Sequence, residues 1–158
     1  MSSKPISFIQ RNLTIAEAKL LVKEIKTTPN ITGYTELEWI NFNKVIVCEV
    51  NNKFAGVCTI SKISNQWYEI AVIYVLEQFR GIGIGTDLFK MANHILEGKS
   101  IYTSSRNPII INLMRTTGYT IFDNLLNLPL VINIFNLKWI LSLYQLKKGY
   151  KKKYLNKS

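Results

Sequence analysis

Glu69-Ile-Ala-Val-Ile-Tyr-Val75, Leu76-Glu-Gln-Phe79, Arg80-Gly-Ile-Gly-Ile-Gly85-Thr86 and a run to Ile95 form the stretch that decides the fold. Ile70 to Leu76 is apolar-rich and β-favouring, which reads as a buried strand. Three glycines at alternate positions follow. Ile84, Leu88, Met91, Ala92 and Ile95 then recur at helical spacing, so an amphipathic helix starts inside the glycine loop. The first N–H groups of a helix have no partner within it, and the macrodipole places partial positive charge there. Glycine allows positive φ and close approach of a bulky anion. A phosphorylated ligand is expected on this loop.

Spacing separates the known phosphate loops. A P-loop ends in Gly-Lys-Ser/Thr, whereas Gly85 is followed by Thr86-Asp87. A dinucleotide fingerprint has two residues between its second and third glycines, and here there is one. What remains is Arg-x-x-Gly-x-Gly on Arg80, Gly83 and Gly85. This pattern resembles motif A of the GNAT acetyltransferases, whose loop holds the pyrophosphate of coenzyme A. The longer family form, Val-x-x-x-x-Arg-Gly-x-Gly-Ile/Val-Gly, is matched from Val75 through Gly85.

The chain has 158 residues, enough for one domain with a real core, and its 47% apolar and 19% charged residues indicate a globular protein. The opening Met1-Ser-Ser-Lys-Pro-Ile-Ser7 lacks the continuous apolar core of a signal peptide. Cys48 and Cys58 fall diagonally on neighbouring strands, a poor disulfide position, and no histidines flank them to hold a metal. A reduced, cytoplasmic protein without a metal site is expected. The net charge of +10 is uneven, because residues 139–158 hold six lysines and no acid.

Taken in order, Ile6 to Ile9 reads as a first strand, and Thr14 with Glu17 as a capping box opening a helix to about Lys26. Thr27 to Thr35 reads as loop, and Glu36 to Asn43 as a segment of open type, a short helix by a substrate opening being one option. Lys44 to Val50 and Phe54 to Ile63 read as strands joined by Asn51-Asn52-Lys53, with Trp67 to Leu76 completing a meander. Ser100 to Ser104 is the next expected strand. A helix follows from Asn107 through Thr116, ended by Gly118. Tyr119 to Phe122 and Leu130 to Lys138 are expected as final strands, then Trp139 to Leu146 as a short apolar helix before the lysines.

This order is similar to that of the GNAT family over roughly residues 5 to 138. The family's Asn-x-x-Ala-x-x-Leu-Tyr-x-x-x-Gly-Phe segment is matched at Asn107, Leu113 and Gly118, with Tyr119 for phenylalanine, while Ile110 replaces alanine and Met114 replaces tyrosine. The resemblance implies an α+β fold in α/β/α layers, with a mixed, mostly antiparallel sheet splayed between two central strands and flanked by helices. It implies a GNAT-like domain over 5–138, leaving 139–158 as an apolar helix and lysine-rich tail.

The implied activity is acetyl transfer from acetyl-CoA to an amine acceptor, a small molecule or a protein, by direct attack in a ternary complex. Ile73 and Val75 would pair with the pantetheine arm. Arg80, Gly81, Ile82, Gly83, Ile84, Gly85 and Thr86 would form the pyrophosphate loop, and Asn107 would contact the pantetheine or phosphate region. Glu69 stands where some family members carry a glutamate acting as general base through water; the plainer reading is a solvated residue at the start of a strand. Where the family's tyrosine protonates the departing thiolate, Met114 has no proton to give. Tyr74, Tyr102 and Tyr119 remain as substitutes. That loss keeps a second reading open, a non-catalytic CoA-binding, nucleic-acid-binding or membrane-associated module with the same fold.

His94 reads as a helix-face residue, and Trp39 and Trp67 as core or acceptor-site walls. From Leu128 to Leu146, Pro129, Asn133, Asn136 and Lys138 interrupt the apolar run too often for a membrane span. The lysines beside Tyr150 and Tyr154 suit nucleic acid or an anionic membrane, or else form a solvated end, the favoured reading.

Overall fold

The computed structural model describes residues 5–26, 28, 34–124 and 127–141, with backbone alone for 139–141. Five strands pair in the order β1 (Ile6–Gln10), β2 (Lys44–Val50), β3 (Lys53–Lys62), β4 (Trp67–Val75) and β5 (Ser100–Tyr102). All neighbours are antiparallel except β4 and β5, which run parallel. Between β1 and β2 lie α1 (Ile15–Lys26) and α2 (Glu36–Ile40); α3 (Ile84–Ile95) connects β4 to β5, and α4 (Pro108–Thr116) follows.

Local chemistry accounts for the element ends. The Thr14 hydroxyl accepts from Glu17 N, while the Glu17 carboxylate accepts from Thr14 N, so the capping box at α1 forms. Thr35 and Glu38 make the same reciprocal pair at α2, a Thr-x-x-Glu signal present in the sequence and overlooked there. Asn51 and Asn52 alone turn β2 into β3, both at positive φ (53° and 59°), as a type I′ turn requires. Lys53, expected within that turn, already pairs with Val50.

Alternation along the strands divides the core into two layers. Val45, Val47, Val57, Val72, Tyr74 and Leu76 meet Leu21 and Ile25 of α1 and Trp39 of α2. Trp39 is therefore core. Ile46, Cys48, Cys58 and Ile60 turn to the opposite face, where α3 buries Leu88, Phe89 and Ala92. Cys48 pairs with Gly56 and Cys58 with Ile46, so the two buried free cysteines are diagonal, and burial pushes their thiols up to about 11 and about 12.

Residues 1–118 and 119–158 form two compact units. In the second, two expectations fail. Tyr119 to Phe122 forms no strand, and Leu130 to Lys138 lies inside a helix, α5 (Leu130–Leu141). The run Leu130-Val-Ile-Asn-Ile-Phe-Asn-Leu137 alternates only in part. An apolar run of that kind fits either period, and the twelve residues of α5 exceed a usual strand. Pro129 sets the start, its carbonyl accepting from Ile132 N (2.9 Å) and Asn133 N (3.1 Å), while Asn133 Nδ2 donates to Leu128 O. Among the described residues the sheet thus ends at β5. The splay expected between two central strands lies between β4 and an edge strand. The helix expected from Trp139 is the continuation of α5 as far as Leu141, and residues 142–158 lie outside the described residues.

Candidate active site

β4 and β5 pair for three residues only: Trp67 with Ser100, Tyr68 with Ile101, Glu69 with Tyr102. One further link, Thr103 Oγ1 donating to Ile70 O at 3.0 Å, closes the pairing. Beyond it β4 runs on to Val75 with no described strand on the edge away from β3. A bulge prepares that free edge. Thr59 pairs with Val72 and Ile60 with Ile70, so Ala71 has no partner on β3 and the alternation shifts by one residue.

Leu76 N–H donates to Ala55 O on β3 at 2.9 Å. Alternation then turns the N–H and C=O of Val75 and Ile73 towards the other, open edge. Val75 O is taken there by Arg80 Nε at 2.9 Å. Ile73 N–H, Ile73 C=O and Val75 N–H are left facing the gap. Gly56 lets β3 hold the end of β4 closely, since a Cβ there would come within 2.8 Å of Tyr74 O.

The chain leaves β4 through a single 3₁₀ turn, Glu77–Phe79, and enters the glycine loop. Gly81 and Gly83 take φ of 81° and 90°, the left-handed region that favours glycine. Ile84, 2% exposed, anchors the loop in the core. Asp87 N donates to Gly83 O at 3.1 Å, the first closed turn of α3, so the N–H groups of Ile84, Gly85 and Thr86 precede the helical ladder. Arg80 braces this loop: Nη2 lies 3.4 Å from the Tyr74 hydroxyl, and the guanidinium sits 5.5 Å from the Tyr74 ring centroid.

Glu69 stands at the last paired position before the gap, in register with Ser61 on β3 and Tyr102 on β5. Ser61 shares its face with Val57, so Glu69 lies on the α1–α2 side of the sheet. It is half-buried, and no described residue is hydrogen-bonded or ion-paired to its carboxylate. Burial alone pushes that carboxyl from 4.5 to about 7. Asn107 is the N-cap of α4, its Oδ1 accepting from Ile109 N at 2.9 Å, which leaves Nδ2 for a ligand. Met114 is buried on the same helix.

Residues 18–119 match the model of the acetyltransferase (GNAT) family. The chain belongs to the GNAT family. As a GNAT protein it is an N-acetyltransferase with acetyl-CoA as cosubstrate. No curated protein matches the chain in sequence. Similar solved structures include Arabidopsis thaliana Naa50 in complex with the bisubstrate analogue CoA-Ac-MVNAL, at TM-score 0.56 and 18% identity over 74% of this chain and 85% of that one. A predicted acetyltransferase from Clostridium acetobutylicum, solved with acetyl-CoA, gives TM-score 0.52 and 17% identity over 80% and 98% of the two chains. The aminoglycoside acetyltransferase meta-AAC0020, from an uncultured soil metagenomic sample and solved with sisomicin, gives 0.52 and 16% over 78% and 94%.

Within this GNAT frame the structure brings Ile73, Val75 and the 80–86 loop to one continuous edge-and-loop surface. His94 is set apart in the last turn of α3, with its side chain 85% exposed near Glu97. Among the three tyrosines named as substitutes for the family's acid, Tyr74 shares its hydroxyl with Glu24 and Arg80, and Tyr119 opens the second unit. Only Tyr102 is in register with Glu69. The bulge at Ala71 and this Glu69–Tyr102 register were not foreseen: an unbroken apolar run carries no mark of where its alternation shifts.

Proposed function

We propose that this GNAT enzyme moves the acetyl group of acetyl-CoA directly to an amine, with both substrates bound together. The observation that carries the reading is the continuity of the free β4 edge with a glycine loop at a helix N-terminus, and Glu69 at the point where the strands part. The outward N–H and C=O of Ile73 suit an amide of a pantetheine arm, since an extended ligand completes an open sheet edge; at Val75 the C=O is held by Arg80, which leaves its N–H for the cofactor. The amides of residues 81–86 suit a diphosphate, with Arg80 holding the loop in shape. Asn107 Nδ2 is available to the pantetheine or phosphate region.

In this reading the amine nitrogen attacks the thioester carbonyl, forming the amide bond as the carbon–sulfur bond breaks. Val75 N–H is aimed at the gap and would polarise the carbonyl. Glu69 removes the ammonium proton, directly or through water, and a carboxyl near 7 is matched to that task at neutral pH. Positioning supplies most of the remaining acceleration. The departing thiolate takes its proton from Tyr102 or from solvent, Met114 having none.

The neighbour structures with a peptide-bearing bisubstrate analogue and with sisomicin support an amine-bearing acceptor of either size. The proposal places the reaction in the cytoplasm. Initial rates of thiol release, with acetyl-CoA and an amine panel varied together, test it. Intersecting double-reciprocal lines are expected, whereas parallel lines would indicate an acetyl-enzyme and refute direct attack.

A further inference from the structure

The helix that replaces the expected final strand exposes the wrong face for water. Leu130, Ile134 and Leu137 are 74%, 44% and 55% exposed and recur at i, i+4 and i+7, one stripe along α5. Lys138, one turn beyond Ile134, is exposed beside them. From Asn124 to Ser158 the sequence holds seven lysines, Lys138 among them, and no acidic residue. We propose that α5 and the lysine-rich end that follows it dock on an anionic lipid surface, the Leu130–Ile134–Leu137 stripe entering the interface and the lysines meeting the headgroups.

Both halves of the surface are used by such a partner and by no simpler one. A lipid interface accepts an aliphatic stripe and a cationic flank together. Trp139, Tyr144, Tyr150 and Tyr154 in the same segment are side chains that favour that boundary. A nucleic acid would engage the lysines but leave the aliphatic stripe in water. A second copy would bring seven further lysines against the first seven, and three aliphatic side chains cover far less than the roughly 800 Å² per partner of a stable interface. A crossing is not implied: twelve helical residues span about 18 Å against a hydrocarbon core of about 30 Å. No described helix is long and apolar enough to cross a membrane.

The full chain is sedimented with vesicles of phosphatidylcholine alone and with about one-third phosphatidylserine, across a salt series. Binding is expected to be at least about tenfold stronger to the anionic vesicles and to weaken with salt. Two variants, Leu130→Gln/Ile134→Gln/Leu137→Gln and Lys147→Gln/Lys148→Gln/Lys151→Gln/Lys152→Gln/Lys153→Gln, should each lose at least about tenfold of it. Leu137→Gln alone should give a partial loss, which covers any drop in helicity of the triple variant. Equal binding to both vesicle types, or none, overturns the proposal. So does a stripe variant that binds like the parent, RNA retention that survives the stripe variant in the absence of lipid binding, or a dimer that the stripe variant dissociates.

Discussion

Replacing Glu69 by glutamine keeps shape and removes the titration, and both consequences can be sized. The carboxyl is held near 7 by burial, against an ordinary 4.5. That difference corresponds to about 3 kcal/mol between its two protonation states, an upper figure for a half-buried group. Between those two values the folded chain holds more protons than the unfolded one. Stability contributed by the protonated form is therefore complete below 4.5, is lost as pH rises towards 7, and changes no further above it. Glu69→Gln escapes this loss: relative to the parent it should gain stability, up to about 3 kcal/mol, between pH 4.5 and 8. In catalysis the same change should cut kcat by about 10²–10⁴ and abolish the acidic limb near pH 7. Urea melts across pH and a pH–rate profile read the two effects separately. A parent and variant whose stability difference is flat across that window would mean a solvated carboxylate. A limb near 7 that survives in the variant would place the base elsewhere.

Gly83→Ala forces a side chain into φ of 90° without meeting any neighbour, so it should lower stability by about 1–3 kcal/mol through strain and weaken CoA binding more than that loss explains; calorimetry at a temperature well below the melt decides, and unchanged affinity would contradict the loop assignment. Met114→Tyr restores a phenol at a buried site and should cost about 1–3 kcal/mol by overpacking. It should raise kcat wherever thiolate protonation limits, and an unchanged rate with a viscosity-dependent kcat would place the limiting step in product release. Arg11 donates to Glu17 at 2.6 Å and to Glu49 at 2.9 Å, tying α1 to β2. Burial pushes the Glu17 carboxyl up, but its hydrogen bonds from Arg11 and Thr14 outweigh that and hold it below 4.5. Arg11→Gln should lower stability by about 1–3 kcal/mol near neutral pH. Glu17's share of that difference is present above 4.5 and lost as pH falls below it, and a pH-independent difference would assign the whole effect to packing.

The shape of the glycine loop was readable because it is written in residue types: alternate glycines for positive φ, an arginine to tie the turn, and a helix period starting inside it. The hairpin at Asn51–Asn52 and the cap at Thr14 were legible for the same reason. What escaped was long-range or ambiguous in period. The bulge at Ala71 depends on which β3 residue each β4 residue meets, and that register is absent from an apolar run. Leu130–Leu141 carries apolar residues on all sides, so a two-residue alternation could be found in it although the helix forms. Asn107 was assigned to the ligand, and its Oδ1 proves committed to Ile109 N; the same amide serves a cap and a contact, and sequence alone names only the residue.

The assignment rests on where the cofactor lies, and amide hydrogen exchange with and without coenzyme A measures that most directly. Exchange should slow at Ile73, Val75 and residues 81–86 together and stay unchanged along α5. Protection confined to other segments, with 81–86 exchanging as in the free protein, would contradict it.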